Sequence, residues 1–273
     1  MSMAGKVSVV TGAGRGIGKA IAKRFAREGS SVVLAARTAK EIGETLSEIT
    51  KFGGNGIAVK TDISVQEDVR NLFKTTLDRF PRIDVLVNNA AVIKPIGPIQ
   101  KLDHKDWEKT VCTNLFGTYY CIKEALPQMI LQKSGKIINL SGGGAFKAFP
   151  NFSAYSVSKA GIVRLTETLA EELKPYNIQV NAIAPGAIRT RIISDVLESK
   201  ELAGEEYEQA KKTFESGGAD ISKVEELAAF LASGQSDGLT GRTLSAQWDD
   251  LEYIKRNISE IQSSDKFTMK RIT

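Results

Sequence analysis

Cysteine and histidine are almost missing from this chain of 273 residues, which holds two of the first and one of the second. That scarcity excludes a disulfide scaffold and argues against a structural zinc site, which takes about four such ligands; no metal is expected. Cys112 and Cys121 fall in one stretch of helical period, too far apart along it to bridge. Their free state fits a reducing cytoplasm. No apolar run approaches the roughly 18 residues of a membrane helix, and the opening MSMAGKVSVV enters a strand pattern without a cleavable apolar segment. A soluble, cytoplasmic protein without a membrane partner is expected. Charge of one sign is not clustered either: the net +5 is spread out, with Lys211–Lys212 and Lys270–Arg271 the only late basic pairs. Nucleic acid is therefore not an expected partner. Sequence repeats of fixed period and low-complexity tracts are also missing.

What is present is a regular alternation. Short β-branched runs (KVSVVT, SVVLAAR, GIAVK, IDVLVNN, GKIINLS, NIQVNAIAP) are each followed by helical period, over 16–29, 38–52, 66–80, 104–133 and 153–175, with further helical pieces after the last. Strand and helix in strict turn imply right-handed crossovers, hence an α/β fold with a doubly wound parallel sheet and helices on both faces. An apolar content of 42% over this length is enough for one sizeable core, so a single domain over residues 1–247 is expected. Within it, the charged segment 191–221, bounded by Gly217–Gly218, reads as a mobile flap. The polar tail 248–273 has Trp248, Leu251, Tyr253 and Ile254 as apolar anchors and is expected to dock near its start and fray towards its end.

The first strand-to-helix turn, TGAGRGIG, places Thr11, Gly12, Gly16 and Gly18 where a backbone must turn sharply, approach a pyrophosphate and pack a helix on a strand. A dinucleotide is the expected ligand. A carboxylate at the end of the second strand would hold a ribose 2′-hydroxyl, yet no acidic residue occurs from Ser30 to Lys40. Arg37 stands there instead, and Arg15 lies in the glycine turn; two guanidinium groups suit a 2′-phosphate. NADP(H) is therefore preferred, with NAD(H) possible. Asp62, ending the third strand, is placed to accept a hydrogen bond from the adenine amino group. In the fourth strand Asn88–Asn89–Ala90–Ala91 follow an apolar run, small enough for close approach and with amides able to tie strand ends.

In 153–175, Tyr155 and Lys159 lie one helical turn apart on the same face. An ammonium near a phenol favours the phenolate, bringing a pKa of about 10 towards neutrality and making the tyrosine a usable acid or base.

Together these residues resemble the classical short-chain dehydrogenase/reductase family, whose pattern the chain follows from about Lys6 to Ala246. The matching pieces are TGAGRGIG, Asp62-Ile63, NNAA, Asn114 in VCTNLFG, Tyr155-Ser-Val-Ser-Lys159, and Pro185-Gly186 in NAIAPGAIRT. The resemblance, which is to 3-oxoacyl-carrier-protein reductases in particular, implies a Rossmann fold and an NAD(P)(H)-dependent oxidoreductase. It also implies a homotetramer or homodimer with 104–133 and 153–175 in the interfaces. It implies Tyr155 as general acid in reduction or base in oxidation, and Lys159 as the group that holds the nicotinamide ribose and lowers the tyrosine pKa. Asn114 would loosen its helix and hold a relay water. The cofactor would be lined by Gly12, Gly16, Ile17, Gly18, Asp62, Ile63, Asn89, Ala90, Pro185, Gly186, Ile188 and Thr190, besides Arg15 and Arg37.

Two departures stand out. The family places a catalytic serine where counting back from Tyr155 reaches Gly142. Ser141, one residue earlier, would face the other side of a regular strand. Three alternatives follow: Ser141 enters through a shifted turn allowed by the Gly142–Gly144 run, Ser153 supplies the hydroxyl, or neither does. Of these Ser141 is preferred. The last strand also departs, ending in SAQWDDLEY where the family usually has Asp-Gly-Gly. The leading expectation is hydride transfer between the nicotinamide and a ketone or secondary alcohol, on a sugar, polyol or small hydroxy compound or on a 3-oxoacyl thioester. For a carrier-borne thioester, Arg189 and Arg191 would receive the acidic carrier, against the acidic residues of the flap. Gly142 motivates a different class, an NADPH-binding regulatory or assembly subunit with impaired chemistry.

Overall fold

The computed structural model of the chain describes residues 3–270; of the tail, Arg271 to Thr273 lie outside the described residues. Seven strands form one parallel sheet in the order β3-β2-β1-β4-β5-β6-β7. They are β1 (Val7–Thr11), β2 (Ser31–Ala36), β3 (Gly56–Lys60), β4 (Val85–Asn88), β5 (Gly135–Leu140), β6 (Ile178–Ala184) and β7 (Thr243–Ser245). All residues of β1, β4 and β5 are buried, as strands covered on both faces require.

The helices supply the two covering layers. On one face lie α1 (Gly16–Arg27), α2 (Ala39–Lys51) and α9 (Ile221–Ala232), burying Ile21, Phe25, Ile42, Ile49, Leu227 and Leu231. In α1 the buried residues Gly18, Ile21, Ala22, Phe25 and Ala26 recur at the spacing of a single helical stripe. On the other face α3 (Gln66–Arg79) and α5 (Gly117–Gln132) bury Val69, Leu72, Phe73, Ile122 and Met129. The expected helix 104–133 is interrupted: α4 (His104–Val111) passes into α5 through a π-helical turn, Cys112–Phe116. Helix α6 (Ser153–Glu172) follows β5. Among the described residues no helix is long and apolar enough to cross a membrane, and no group of three or more His, Cys, Asp or Glu residues is arranged to hold a metal ion.

The chain runs outward from β1 to β3, then returns across β1 to build β4 to β7 on the other side. The β1/β4 boundary is therefore the switch point, and a crevice opens beyond the carboxyl ends of the strands there. At the opposite, amino ends of these strands Asp84 is buried and accepts from Val7 N–H at 2.8 Å and from Arg82 at 2.6 and 2.8 Å. Asp84→Ala strands a buried backbone donor, so a loss of about 2–3 kcal/mol in urea unfolding is expected.

Segment 191–221 folds as α7 (Arg191–Glu198), a short 3₁₀ turn and α8 (Glu205–Ser216), and ends in Gly217 and Gly218, both at positive φ. Of the expected anchors of the tail, Leu251, Tyr253 and Ile254 pack on the core and Trp248 does not. Trp248 is no anchor, being 86% exposed, whereas Ile254 and Ile261 are buried in α10 (Leu251–Arg256) and α11 (Ile258–Gln262). The described end of the tail does not fray: Thr243 N–H donates to Phe267 O at 2.9 Å and Met269 N–H to Glu167 at 2.6 Å. Arg242 fixes this arrangement by donating to the carbonyls of Ile261, Gln262 and Ser264.

Candidate active site

A cavity of about 730 Å³ lies at the switch point. Of the expected cofactor residues, Gly12, Arg15, Gly16, Ile17, Arg37, Asp62, Ile63, Asn89, Ala90 and Thr190 line it. The turn needs its glycines: Gly12 and Gly16 have φ of +66° and +52°, and a Cβ at Gly18 would lie 2.4 Å from Gly12 O. Gly18 and Ile188 are buried and do not line the cavity. Pro185 and Gly186 also lie outside the wall; Gln247 donates to Pro185 O at 3.0 Å and holds that turn against Asp220 O.

Strand ends are tied by side chains. Thr11 Oγ1 accepts from Asn89 N–H at 3.0 Å and Ala90 N–H at 3.1 Å, while Asn89 Nδ2 donates back to Thr11 O at 2.9 Å. Asn88 donates to Asn139, which donates to Thr166 in α6, each at 2.9 Å. Asp62 accepts from Ser64 N–H and Oγ–H through one oxygen. The N-terminus of α1 has no side-chain cap, which leaves its first N–H groups to an anion. The volume, the uncapped helix end and the two cavity-lining arginines fit a nicotinamide dinucleotide.

Asn114 sits in the π turn, fully buried, where the widened helix lets its side chain cross to the loop after β4. Its Oδ1 accepts from Val92 N–H at 2.9 Å, and its Nδ2 donates to Val92 O at 2.9 Å and Ser158 Oγ at 3.0 Å. Ser158 is on the turn of α6 that also carries Tyr155 and Lys159, so this amide couples α6 to the crevice.

Tyr155 is 6% exposed and lies among Ile93, Ile96, Phe152 and Val196, under α7 and α8. Lys159 Nζ donates to Leu140 O at 2.7 Å and lies 5.6 Å from the centre of the tyrosine ring. The expected lowering of the phenol is not what this arrangement does. Burial pushes Tyr155 up to about 12, and burial brings Lys159 down to about 8. The ammonium is committed to a carbonyl rather than to the phenol, so desolvation of the tyrosine prevails.

The serine question has a clear geometric outcome. A Cβ built at Gly142 would lie 2.4 Å from the Tyr155 hydroxyl and 3.6 Å from Lys159 Cε. Position 142 thus faces the tyrosine, and the hydroxyl leans into the space a side chain there would fill. Ser141, expected to reach it through a shifted turn, does not: its N–H continues the sheet to Ile183 O at 2.8 Å, and its buried Oγ makes no hydrogen bond among the described residues. The strand stays in register, which puts adjacent side chains on opposite faces. Ser153, the alternative, accepts from Trp107 Nε1–H at 3.1 Å through its Oγ and forms no hydrogen bond to Tyr155 among the described residues.

One cation of the body, Lys94, reaches the flap, and Arg191 pairs within it. Lys94 pairs with Glu198 at 2.8 Å, and Arg191 pairs with Asp195 at 3.0 Å and Glu198 at 3.2 Å. Arg189 stacks on the Phe214 ring at 4.1 Å. Sequence reasoning missed Glu41, which lines the cavity and pairs with Arg15 at 3.0 Å. It lies one residue beyond the stretch Ser30–Lys40, and only the folding of α2 back onto the glycine turn brings it in.

Fold and site together define a dinucleotide-dependent oxidoreductase of the doubly wound class. The short chain dehydrogenase model matches residues 6–201, and the chain belongs to that family. It is 35% identical over 246 residues to a short chain dehydrogenase/reductase, astE, of Aspergillus oryzae, covering 89% of this chain and 94% of that protein. A 3-oxoacyl-[acyl-carrier-protein] reductase of Synechocystis is 40% identical over 190 residues, covering 69% of this chain and 76% of its own length. Among solved structures, an NAD⁺-bound xylitol dehydrogenase superposes with a TM-score of 0.84 at 29% identity, covering 90% of this chain and 98% of that one.

Proposed function

We propose that the protein is an NADP(H)-dependent oxidoreductase that moves hydride between the nicotinamide and a ketone or secondary alcohol. The observation that carries this is the placement of Tyr155 and Lys159 on one turn of α6, joined through Ser158 to Asn114 beside the dinucleotide cavity. When bound, the cofactor supplies or accepts the hydride at C4 of its nicotinamide. Tyr155 gives its phenolic proton to the carbonyl oxygen in reduction and takes it back in oxidation. Lys159 keeps a positive charge behind that proton, and Asn114 holds α6 against the loop after β4 so that the tyrosine stays oriented. Preference for the 2′-phosphate rests on Arg15 and Arg37.

The side chains packed around Tyr155 are apolar, Phe149 and Ile192 among them. A polyol would strand hydroxyl groups there, so a ketone flanked by hydrocarbon is favoured. A carrier-borne thioester is disfavoured because Arg191 is held by Asp195 and Glu198. A cytoplasmic homodimer or homotetramer is proposed, with the exposed Phe116, Tyr119 and Val157 of α5, α6 and the π turn as interface residues.

NADPH oxidation with a panel of apolar ketones and sugars tests the reading. Tight NADPH binding with no turnover on any of them would identify a regulatory subunit instead. The pH profile identifies the groups. As pH rises through about 8, Lys159 loses its charge, so reduction is expected to fall with one proton and a midpoint near that value. A rate that stays flat to about pH 10 would leave Tyr155, pushed up to about 12 by burial, as the sole ionising group.

A further inference from the structure

An acidic side chain does reach the adenosine end of the cavity, but from α2 instead of β2. Glu41 Oε1 accepts from Arg15 Nη1 at 3.0 Å. It is held there by packing: a Cβ at Gly14 would lie 2.7 Å from Glu41 Cβ and 3.0 Å from its Oε2. Thr45, one turn later, donates to Gly14 O at 3.3 Å and Glu41 O at 3.0 Å, so the first turn of α2 is fastened to the glycine turn. Arg15, Arg37 and Glu41 all line the same cavity. Arg37 is exposed and forms no ion pair among the described residues. One of the two guanidinium groups available to a 2′-phosphate is therefore already matched by a carboxylate, and that carboxylate would meet a dianion in the same place.

We propose that Glu41 is a specificity-determining residue for the cofactor: by holding Arg15 and adding a negative charge beside the arginines, it limits the preference for the 2′-phosphate and keeps NAD(H) usable. This rests on the reading of Arg15 and Arg37 as the phosphate site. The Arg15 and Glu41 side chains are 58% and 30% exposed, so water screens the pair and a phosphate can displace it. Glu41 tunes the choice and does not forbid NADP(H).

The test uses the full chain and two probes without nicotinamide, 2′,5′-ADP and 5′-AMP, with Kd measured by calorimetry. Glu41→Gln keeps the shape packed on Gly14 while removing the charge. It is expected to tighten 2′,5′-ADP by about five- to tenfold at low salt, to leave 5′-AMP within about twofold, and to lose most of the gain near 0.5 M salt, where the Debye length is only a few ångströms. Adding Arg15→Ala to Glu41→Gln should abolish the gain. Unchanged 2′,5′-ADP affinity in Glu41→Gln overturns the proposal. So does weakened 5′-AMP binding, because the carboxylate then serves the ribose hydroxyl. Arg37→Ala separates the two readings: if it weakens 2′,5′-ADP while Glu41→Gln does nothing, the phosphate site stands and only the role of Glu41 fails. If it has no effect, the phosphate site fails and the proposal with it.

Discussion

Tyr155→Phe is expected to retain NADPH affinity within about twofold and to lose about 10²–10⁴ in kcat, the usual contribution of one positioned proton donor. The phenyl ring still fills the apolar cluster of Ile93, Ile96, Phe152 and Val196, so folding should be little affected. The hydroxyl has no hydrogen-bond partner among the described residues, so its removal leaves no buried group unpaired. A thermal midpoint close to that of the parent, together with lost single-turnover hydride transfer, is the expected signature. If kcat stays within about tenfold of the parent, Tyr155 is not the proton donor.

Gly142→Ala should come next in severity. The added methyl would lie 2.4 Å from the Tyr155 hydroxyl and 3.3 Å from Cζ, closer than atoms can stand, so the ring must move. A displacement of about 1 Å at a reacting group can cost about 10²-fold in rate, which is the loss expected for kcat with ketone and NADPH. Cofactor affinity should hold, because position 142 is not in the cavity wall. Gly142→Ser separates steric from chemical effects. It brings the same Cβ together with the hydroxyl usual in the family, so a rate above that of Gly142→Ala means that a side-chain donor can still be used at this position. A rate for Gly142→Ala equal to the parent's would show that Tyr155 tolerates the intrusion and that the leaning hydroxyl has no functional meaning.

Much of this site was legible because its signals are local. The stripe Gly18, Ile21, Ala22, Phe25 and Ala26 and the runs VSVVT and GKIINL are properties of short windows, and period alone separates helix from strand there. Tyr155 and Lys159 are four apart in one helix, so their common face follows from helix geometry. That Gly142 stands at the serine position came instead from the family resemblance, by counting back from Tyr155. The preference for Ser141 failed because the glycines after it, although free to shift the turn, did not do so: the hydrogen bond of Ser141 N–H to Ile183 O keeps β5 regular. The tail misled for a related reason. Trp248 is the largest apolar side chain near its start, yet it points to solvent, while the expected anchor Ile254 is buried together with Ile261, in helices that dock where Arg242 gathers three carbonyls.

By itself, the sequence determined the alternating elements, the glycine turn, the basic residue ending β2 and the tyrosine and lysine of α6, each of which is set by backbone sterics or side-chain period within a few residues. Only the tertiary structure decided which groups neutralise or desolvate one another. It set Glu41 against Arg15 across the separation of α1 and α2, and Lys94 against Glu198 between the body and the flap. It also buried Tyr155 and Lys159 deeply enough to move their titrations in opposite directions. Charge and burial act through space, between residues that the chain brings together only by folding, and no window of sequence contains both partners.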